Sequence, residues 1–344
     1  MFTEYSNTFE KMNRFCLILF ALLFANSFLY AQNKKPEDYG FRHIQTTYLN
    51  DTVDILILSK KGEEKKKMSL FLFLQGSLPQ PVIKYDEKGI YRVFPFNTDS
   101  ILNEYHLAII SKPYIPLIFD IKKLGENATY IDSITGKFPD KYLKRNYLDY
   151  YVNRDKMVLE FLKKQPFIDK RKIVVAGHSE GSTIAAKLAL ICKDVTHLIY
   201  VSGNPFGRIM TMIANGRAGE TIKDSFVEKL FNKWQQTLNA PENLDGTDGD
   251  SYKTLYSFSI PSIEHLEQLK IPVLVCYGTK DYSSMFNDYL RVDVLRKKKI
   301  NFTFIPYTGL DLNFFEVKDN GEIDYEKYNW DNVGRDWLKW LKKK

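Results

Sequence analysis

The chain has 344 residues, of which 44% are apolar, 26% charged and 15% aromatic. That balance supports a sizeable core and excludes disordered, collagen-like and low-complexity chains. The length fits one large α/β domain or two ordinary ones. A formal charge of +7 is a mild excess for this size and argues for neither nucleic acid nor anionic lipid as a partner. The runs Lys65–Lys67, Lys297–Lys299 and Lys342–Lys344 read as solvated loop and terminal charge.

Phe15–Tyr30 is a nearly unbroken apolar run, preceded by Arg14 and followed by Ala31 and Gln32. A positive start, an apolar stretch and a small residue at its end predict a secretory signal over 1–31, removed to leave 32–344. The run is shorter than the roughly 20 residues needed to cross a bilayer, so no membrane span is expected after cleavage. Glu4 and Glu10 do not suit a signal's first segment, and Met12 is the better start. The protein is therefore expected to be exported, to the periplasm or outside the cell. Export permits a disulfide, but Cys192 and Cys276 both fall in apolar runs and read as buried free thiols. Nothing in the Cys and His spacing suits zinc, and no cofactor is expected.

Short β-rich runs then alternate with helical patterns. Val53–Leu58, Ser69–Leu74, His106–Ile110, Ile173–Ala176, His197–Val201, Pro272–Tyr277 and Asn301–Ile305 read as strands. Several are continuously apolar, as central parallel strands are. Tyr147–Lys164, Thr183–Ile191 and Trp337–Leu341 read as helices. The fold class is thus α/β, a doubly wound and mostly parallel sheet. The charged turn KKGEEKKK between the first two strands predicts an antiparallel meander at one edge. From Phe206 to Ile263 the alternation stops, which predicts a helical cap inserted over the C-terminal edge of the sheet, with a helix at Phe226–Leu238. The loop Asp245–Asp250 resembles a calcium loop only superficially. Its twelfth position is Tyr256, where a Glu is needed, and it reads as a surface turn.

Gly177-His178-Ser179-Glu180-Gly181 is a G-x-S-x-G pentapeptide. By composition alone such a match arises in about one chain of this size in fifteen. Its setting is more specific, because it directly follows the strand Ile173–Ala176 and directly precedes the helix Thr183–Ile191. A nucleophile elbow requires that strand–turn–helix context. The strained turn lifts the serine Oγ above the sheet, and the following helix points its N–H groups at the site.

On these residues the chain resembles the α/β-hydrolase fold superfamily, and the stretch Gln165–Gly181 looks most like its serine peptidase and acyl-hydrolase branches. The resemblance implies a serine hydrolase acting on an ester, thioester or peptide, with parts in the order Ser, Asp, His. Ser179 would be the nucleophile. Asp281, in Gly278-Thr279-Lys280-Asp281 after a strand, would be the acid that orients the base. The backbone N–H groups of Glu180 and Ser77 would form the oxyanion hole, Ser77 lying in the Gln75–Pro79 loop.

The histidine is missing. By resemblance its place falls to Leu312, and no histidine occurs from Tyr282 to Lys344. Of His43, His106, His178, His197 and His265, only His265, at the exit of the cap, is a candidate substitute base. The second reading is therefore an impaired or non-catalytic hydrolase-fold protein that binds a small ligand or partner in the old pocket. A small-molecule or peptide substrate is expected in the first reading, and the oligomeric state is open.

Overall fold

The computed structural model describes residues 34–222, 226–244, 246–247 and 250–344. The predicted signal lies outside them, as do Asp245, Asp248 and Gly249 of the Asp245–Asp250 loop. Among the described residues no helix is long and apolar enough to cross a membrane.

The main sheet has eight strands: β1 (Phe41–Tyr48), β2 (Asp51–Leu58), β3 (Met68–Leu74), β4 (Tyr105–Ile110), β5 (Ile168–His178), β6 (His197–Val201), β7 (Val273–Gly278) and β8 (Phe302–Tyr307). They lie in the order β1-β2-β4-β3-β5-β6-β7-β8. From β4 to β8 every pair is parallel. β2 runs antiparallel to both β1 and β4. The expected antiparallel edge exists, but its pairing differs from the meander expected. β2 does not meet β3, because β4 enters between them and the charged 60–67 segment is a crossover rather than a hairpin turn. β1 went unread because it alternates polar and apolar residues at the sheet's edge, with only Phe41 fully covered.

The central strands carry continuously apolar buried runs, such as Leu70–Leu74 and Ile173–Ala176, because both faces are covered there. Leu70, Leu72 and Leu74 of β3 face one layer, and Phe71 and Phe73 face the other. The first layer contains α1 (Leu148–Leu162) and α2 (Glu180–Ile191), with Leu148, Val158, Ile184 and Leu188 in its core. The cap segment between β6 and β7 folds as α3 (Arg208–Gly219), α4 (Phe226–Asn239) and α5 (Tyr252–Ser259). After β7 comes α6 (Ser284–Arg296), which sends Leu290 and Val294 into the first layer. The opposite layer is closed by α7 (Trp330–Lys343), longer than the predicted Trp337–Leu341. Its polar first turn hid its start.

Trp337 is fully buried in that second layer. Its ring centroid lies 5.2 Å from Phe96, 6.1 Å from Phe71 and 6.0 Å from Trp330. Cys192 and Cys276 are both free and buried.

The fold places every loop of interest on one edge. The chain leaves β3 into Gly76-Ser77, β5 into Ser179, β6 into Ser202, β7 into Asp281 and β8 into Leu312. These are the carboxyl ends of parallel strands, the edge at which α/β sheets bind ligands. Removing the Trp337 ring should open a large void in the second layer. Trp337→Ala is expected to cost about 3–5 kcal/mol in urea unfolding, with a Tm fall of several degrees as the check.

Candidate active site

The elbow is fixed by two close backbone approaches. A Cβ on Gly177 would stand 2.0 Å from the carbonyl oxygen of Gly181, and one on Gly181 would stand 2.1 Å from that of Leu74. No real Cβ fits at those distances, so both ends of the pentapeptide must be glycine. Between them Ser179 is held at φ 55°, ψ −121°, a region L-residues rarely adopt. Its N–H donates to the Val201 carbonyl at 2.9 Å. Its own carbonyl accepts from the Ser182 N–H at 3.0 Å and the Ser182 hydroxyl at 2.6 Å. The strained conformation is thus pinned from both sides.

Ser179 is half-buried and lies where two clefts meet. The smaller, about 170 Å³, is lined by Glu180, Ser202, Arg208, Thr211 and Phe258 among others. The larger, about 370 Å³, is lined by Gly76, Val93, Pro95, His178 and Trp330 among others. Ser77 and Leu312 line both. The Ser77 carbonyl accepts from the Tyr142 hydroxyl at 3.2 Å, which ties down the loop after β3. Glu180 is the first residue of α2, where N–H groups have no partner within the helix.

Asp281 is buried just beyond β7. Its Oδ1 accepts from the Ser283 N–H at 2.9 Å, and its Oδ2 has no partner. Burial pushes its carboxyl up to about 6. The nearby Asp311 adds to the rise, and the Ser283 N–H opposes it. The loop after β8 packs directly on this turn. The Lys280 N–H donates to the Leu310 carbonyl at 2.9 Å, and a Cβ on Gly278 would stand 2.2 Å from both the Leu310 and Asp311 carbonyl oxygens. Leu312 follows immediately.

The five histidines are placed as follows. His178 is half-buried beside the elbow and its Nε2 donates to the Leu312 carbonyl at 3.1 Å. Burial holds its pKa down to about 4 against that hydrogen bond, so the ring is neutral at physiological pH. Its ring packs edge-on against Trp330, with centroids 5.0 Å apart. His265 sits in a short helix, Ile263–Leu266, packed against α2. It feels Lys187, Glu264 and Asp149 and lines neither cleft. His43 contacts Asp54, His106 contacts Ser59 and the Lys66 carbonyl, and His197 contacts Thr196. The structure therefore brings Ser77, Ser179, Glu180 and Leu312 to one place, with the Asp281 turn packed beside Leu312. It leaves His265 elsewhere.

Sequence reasoning missed a buried charge cluster beside the elbow. Glu180 Oε1 pairs with Lys112 Nζ at 3.0 Å, both side chains at least nine-tenths buried. Glu180 Oε2 pairs with Arg208 Nη1 at 3.2 Å, and Arg208 also reaches Asp250 at 3.3 Å. The one signal available was a lysine two residues past the apolar strand β4, too weak to act on alone.

A model of the Abhydrolase family matches residues 120–244, a stretch that holds α1, β5, the elbow and much of the cap. Among solved structures, the chain is similar to Est1E from Butyrivibrio proteoclasticus with ferulic acid bound, at 17% identity, TM-score 0.51, over 88% of this chain and 100% of that one. The chain has the α/β-hydrolase fold. Porphyromonas gingivalis dipeptidyl peptidase 4 shares it at 13% identity and TM-score 0.53, over 88% of this chain and 35% of that one. The acylaminoacyl peptidase of Pyrococcus horikoshii matches at 14% identity and TM-score 0.50, over 88% of this chain and 41% of that one. This α/β-hydrolase chain therefore spans well under half the length of the two peptidases. Comparison with curated protein sequences gives no match.

The raised carboxyl of Asp281 has a consequence for stability. Its folded pKa of about 6 exceeds the unfolded value near 3.9. Its contribution is therefore fully present below about pH 4 and lost as pH rises through about 6. Asp281→Asn keeps the acceptor for Ser283 and removes the buried charge. It is expected to stabilise the protein at pH 7.5 by roughly 2–3 kcal/mol, with the gain vanishing below about pH 4. Urea midpoints across that pH range are the check.

Proposed function

We propose that the protein is a serine hydrolase whose acyl-transfer site is built except for its base, acting on an ester, thioester or peptide. The single observation that carries this reading is the backbone of Ser179. A serine pinned at φ 55° between two glycines that no other residue could replace is costly to fold. A structural serine needs no such turn, whereas a nucleophile that must project above a sheet does.

In this reading Ser179 Oγ attacks the substrate carbonyl carbon, and its proton passes to water because no histidine stands ready to take it. The Glu180 and Ser77 N–H groups stabilise the oxyanion. Collapse of the tetrahedral intermediate expels the leaving group, and water then cleaves the acyl-enzyme. Oxyanion stabilisation and binding without a base support only about 10³–10⁴-fold acceleration over water. Asp281, ionised above about pH 6, would orient an imidazole if one were present. Leu312 in the histidine place favours a second reading, a hydrolase scaffold kept for binding. The apolar run Phe15–Tyr30 supports export of the protein in either case.

A fluorophosphonate probe distinguishes the two readings. In the hydrolase reading it labels the wild type slowly and at Ser179 alone, and Ser179→Ala abolishes labelling. An unlabelled wild type overturns that reading. In the hydrolase reading Leu312→His supplies a base at the histidine place and is expected to raise p-nitrophenyl ester turnover by about 10²–10⁴-fold. The gain should increase with pH through about 6 as Asp281 ionises. Unchanged turnover would remove Leu312 from the histidine position.

A further inference from the structure

We propose that the smaller cleft beside Ser179 is a carboxylate subsite, so that the preferred ligand is an acyl compound bearing a second, free carboxylate, such as a half-amide or half-ester of a short dicarboxylic acid. The position of the reacting carbonyl rests on the hydrolase reading above, whereas the subsite itself does not.

Three features of the cleft converge on an anion. The first turns of two helices line it: Glu180 and Thr183 of α2, and Arg208 and Thr211 of α3 with Gly207 just before it. Helix N-termini carry unsatisfied N–H groups and partial positive charge. α3 is 12 residues long, and its start is held by the Asn204 side chain, which accepts from the Phe206 N–H at 2.9 Å and donates to Thr211 Oγ1 at 3.0 Å.

The second feature is the Arg208 guanidinium. Its contacts with Glu180 and Asp250 all fall on Nη1. Among the described residues nothing engages Nη2 or Nε, which leaves an edge of the fork for a planar carboxylate. The side chain is 22% exposed, anchored yet open to the cleft. Burial works against its charge, but Asp250 and Glu180 more than offset that, so it stays a cation. Lys112 balances Glu180 on the far side and Asp250 balances Arg208, so what the guanidinium offers a carboxylate is its free hydrogen-bond donors rather than net charge.

The third feature points directly to a missing ligand. Ser202 lines the same cleft and is 3% exposed, and among the described residues its Oγ has no hydrogen-bond partner. A buried hydroxyl without a partner is unfavourable, and a bound carboxylate oxygen would supply the acceptor. On the other side of Ser179, Val93, Pro95 and Trp330 give the larger cleft an apolar lining. A ligand joining a carboxylate to an aromatic group would place one end in each cleft.

The test uses two amides that differ in that carboxylate, succinanilic acid and the neutral butyranilide, titrated calorimetrically into the full mature protein. Succinanilic acid is expected to bind about ten-fold more tightly, the range of a charge-assisted hydrogen-bonding pair. Arg208→Gln should reduce the difference to about three-fold or less. Equal affinities in the wild type, or an undiminished difference in a folded Arg208→Gln, overturn the proposal. Should Arg208→Gln unfold, Ser202→Ala decides, because it changes no charge. It should weaken succinanilic acid several-fold and leave butyranilide unchanged, and equal weakening or none overturns the subsite. A protein that keeps the carboxylate preference but takes no fluorophosphonate label loses the hydrolase reading alone. One that labels at Ser179 without the preference loses the subsite alone.

Discussion

The steric contact that governs this molecule is the meeting of three backbone segments at the elbow. β5 turns into α2 so tightly that the Gly181 carbonyl fills the space of a side chain on residue 177, and the Leu74 carbonyl fills that of one on residue 181. Two consequences follow. The helix is drawn onto the sheet with its N-terminus at the strand ends. Ser179, left between the two glycines, cannot relax its positive φ. Such strain is of the order of 1–3 kcal/mol and persists because β3, β5 and β6 all grip the turn through main-chain bonds. The same contact brings Gly76, whose Cβ position lies 3.6 Å from the Ser179 Cβ, close enough for its loop to offer N–H groups to the same point.

The charge cluster beneath the elbow extends that constraint to the cap. Glu180 carries the main-chain N–H assigned to the oxyanion hole, and its carboxylate is clamped between Lys112 from the β4 loop and Arg208 from α3. Desolvating such charges is costly, so the cluster is weak evidence for net stability. Loss of one member would leave the others buried without a partner, which is costly in turn. Its effect is geometric. Displacement of α3 would move Arg208, and through Glu180 the first turn of α2. Cap and elbow are thereby linked electrostatically, and the cap's position bears on the width of the smaller cleft.

Much of this was legible in the sequence, for identifiable reasons. Seven of the eight main strands were readable as short β-rich runs, several of them continuously apolar, as Ile173–Ala176 is. The elbow was readable because its steric demand selects glycine twice at fixed spacing. The absence of a histidine after Asp281 was a plain count. β1 was not legible, since an edge strand needs one covered face at most. The pairing of β2 with β4 was not legible either, because nothing in the 60–67 segment records that the later strand Tyr105–Ile110 will enter the gap. Lys112 and Arg208 escaped because a buried ion pair joins residues 68 and 28 positions from Glu180, and no local pattern marks such a pair. Ser202 and the free oxygen of Asp281 are legible only as missing partners, which requires coordinates.

Those missing partners bear on what this site has become. A fold that had shed catalysis entirely would gain stability by neutralising Asp281, whose buried carboxyl is held up at about 6 and whose Oδ2 is unpartnered. Asparagine would serve Ser283 equally well. Likewise Ser179 could relax to glycine and release backbone strain without touching the sheet. Both unfavourable features remain, side by side with Leu312. Proteins tolerate strain and buried charge where function requires them. The persistence of two such costs next to a third position that departs from the pattern fits a site still used for the carbonyl group it was shaped to hold. It fits a protein only passively inheriting its shape less well. On that view Leu312 does not merely remove a base. It sets an apolar side chain in the lining of both clefts beside Ser179. In the hydrolase reading, loss of the base slows turnover while the clefts that would hold an acyl compound remain.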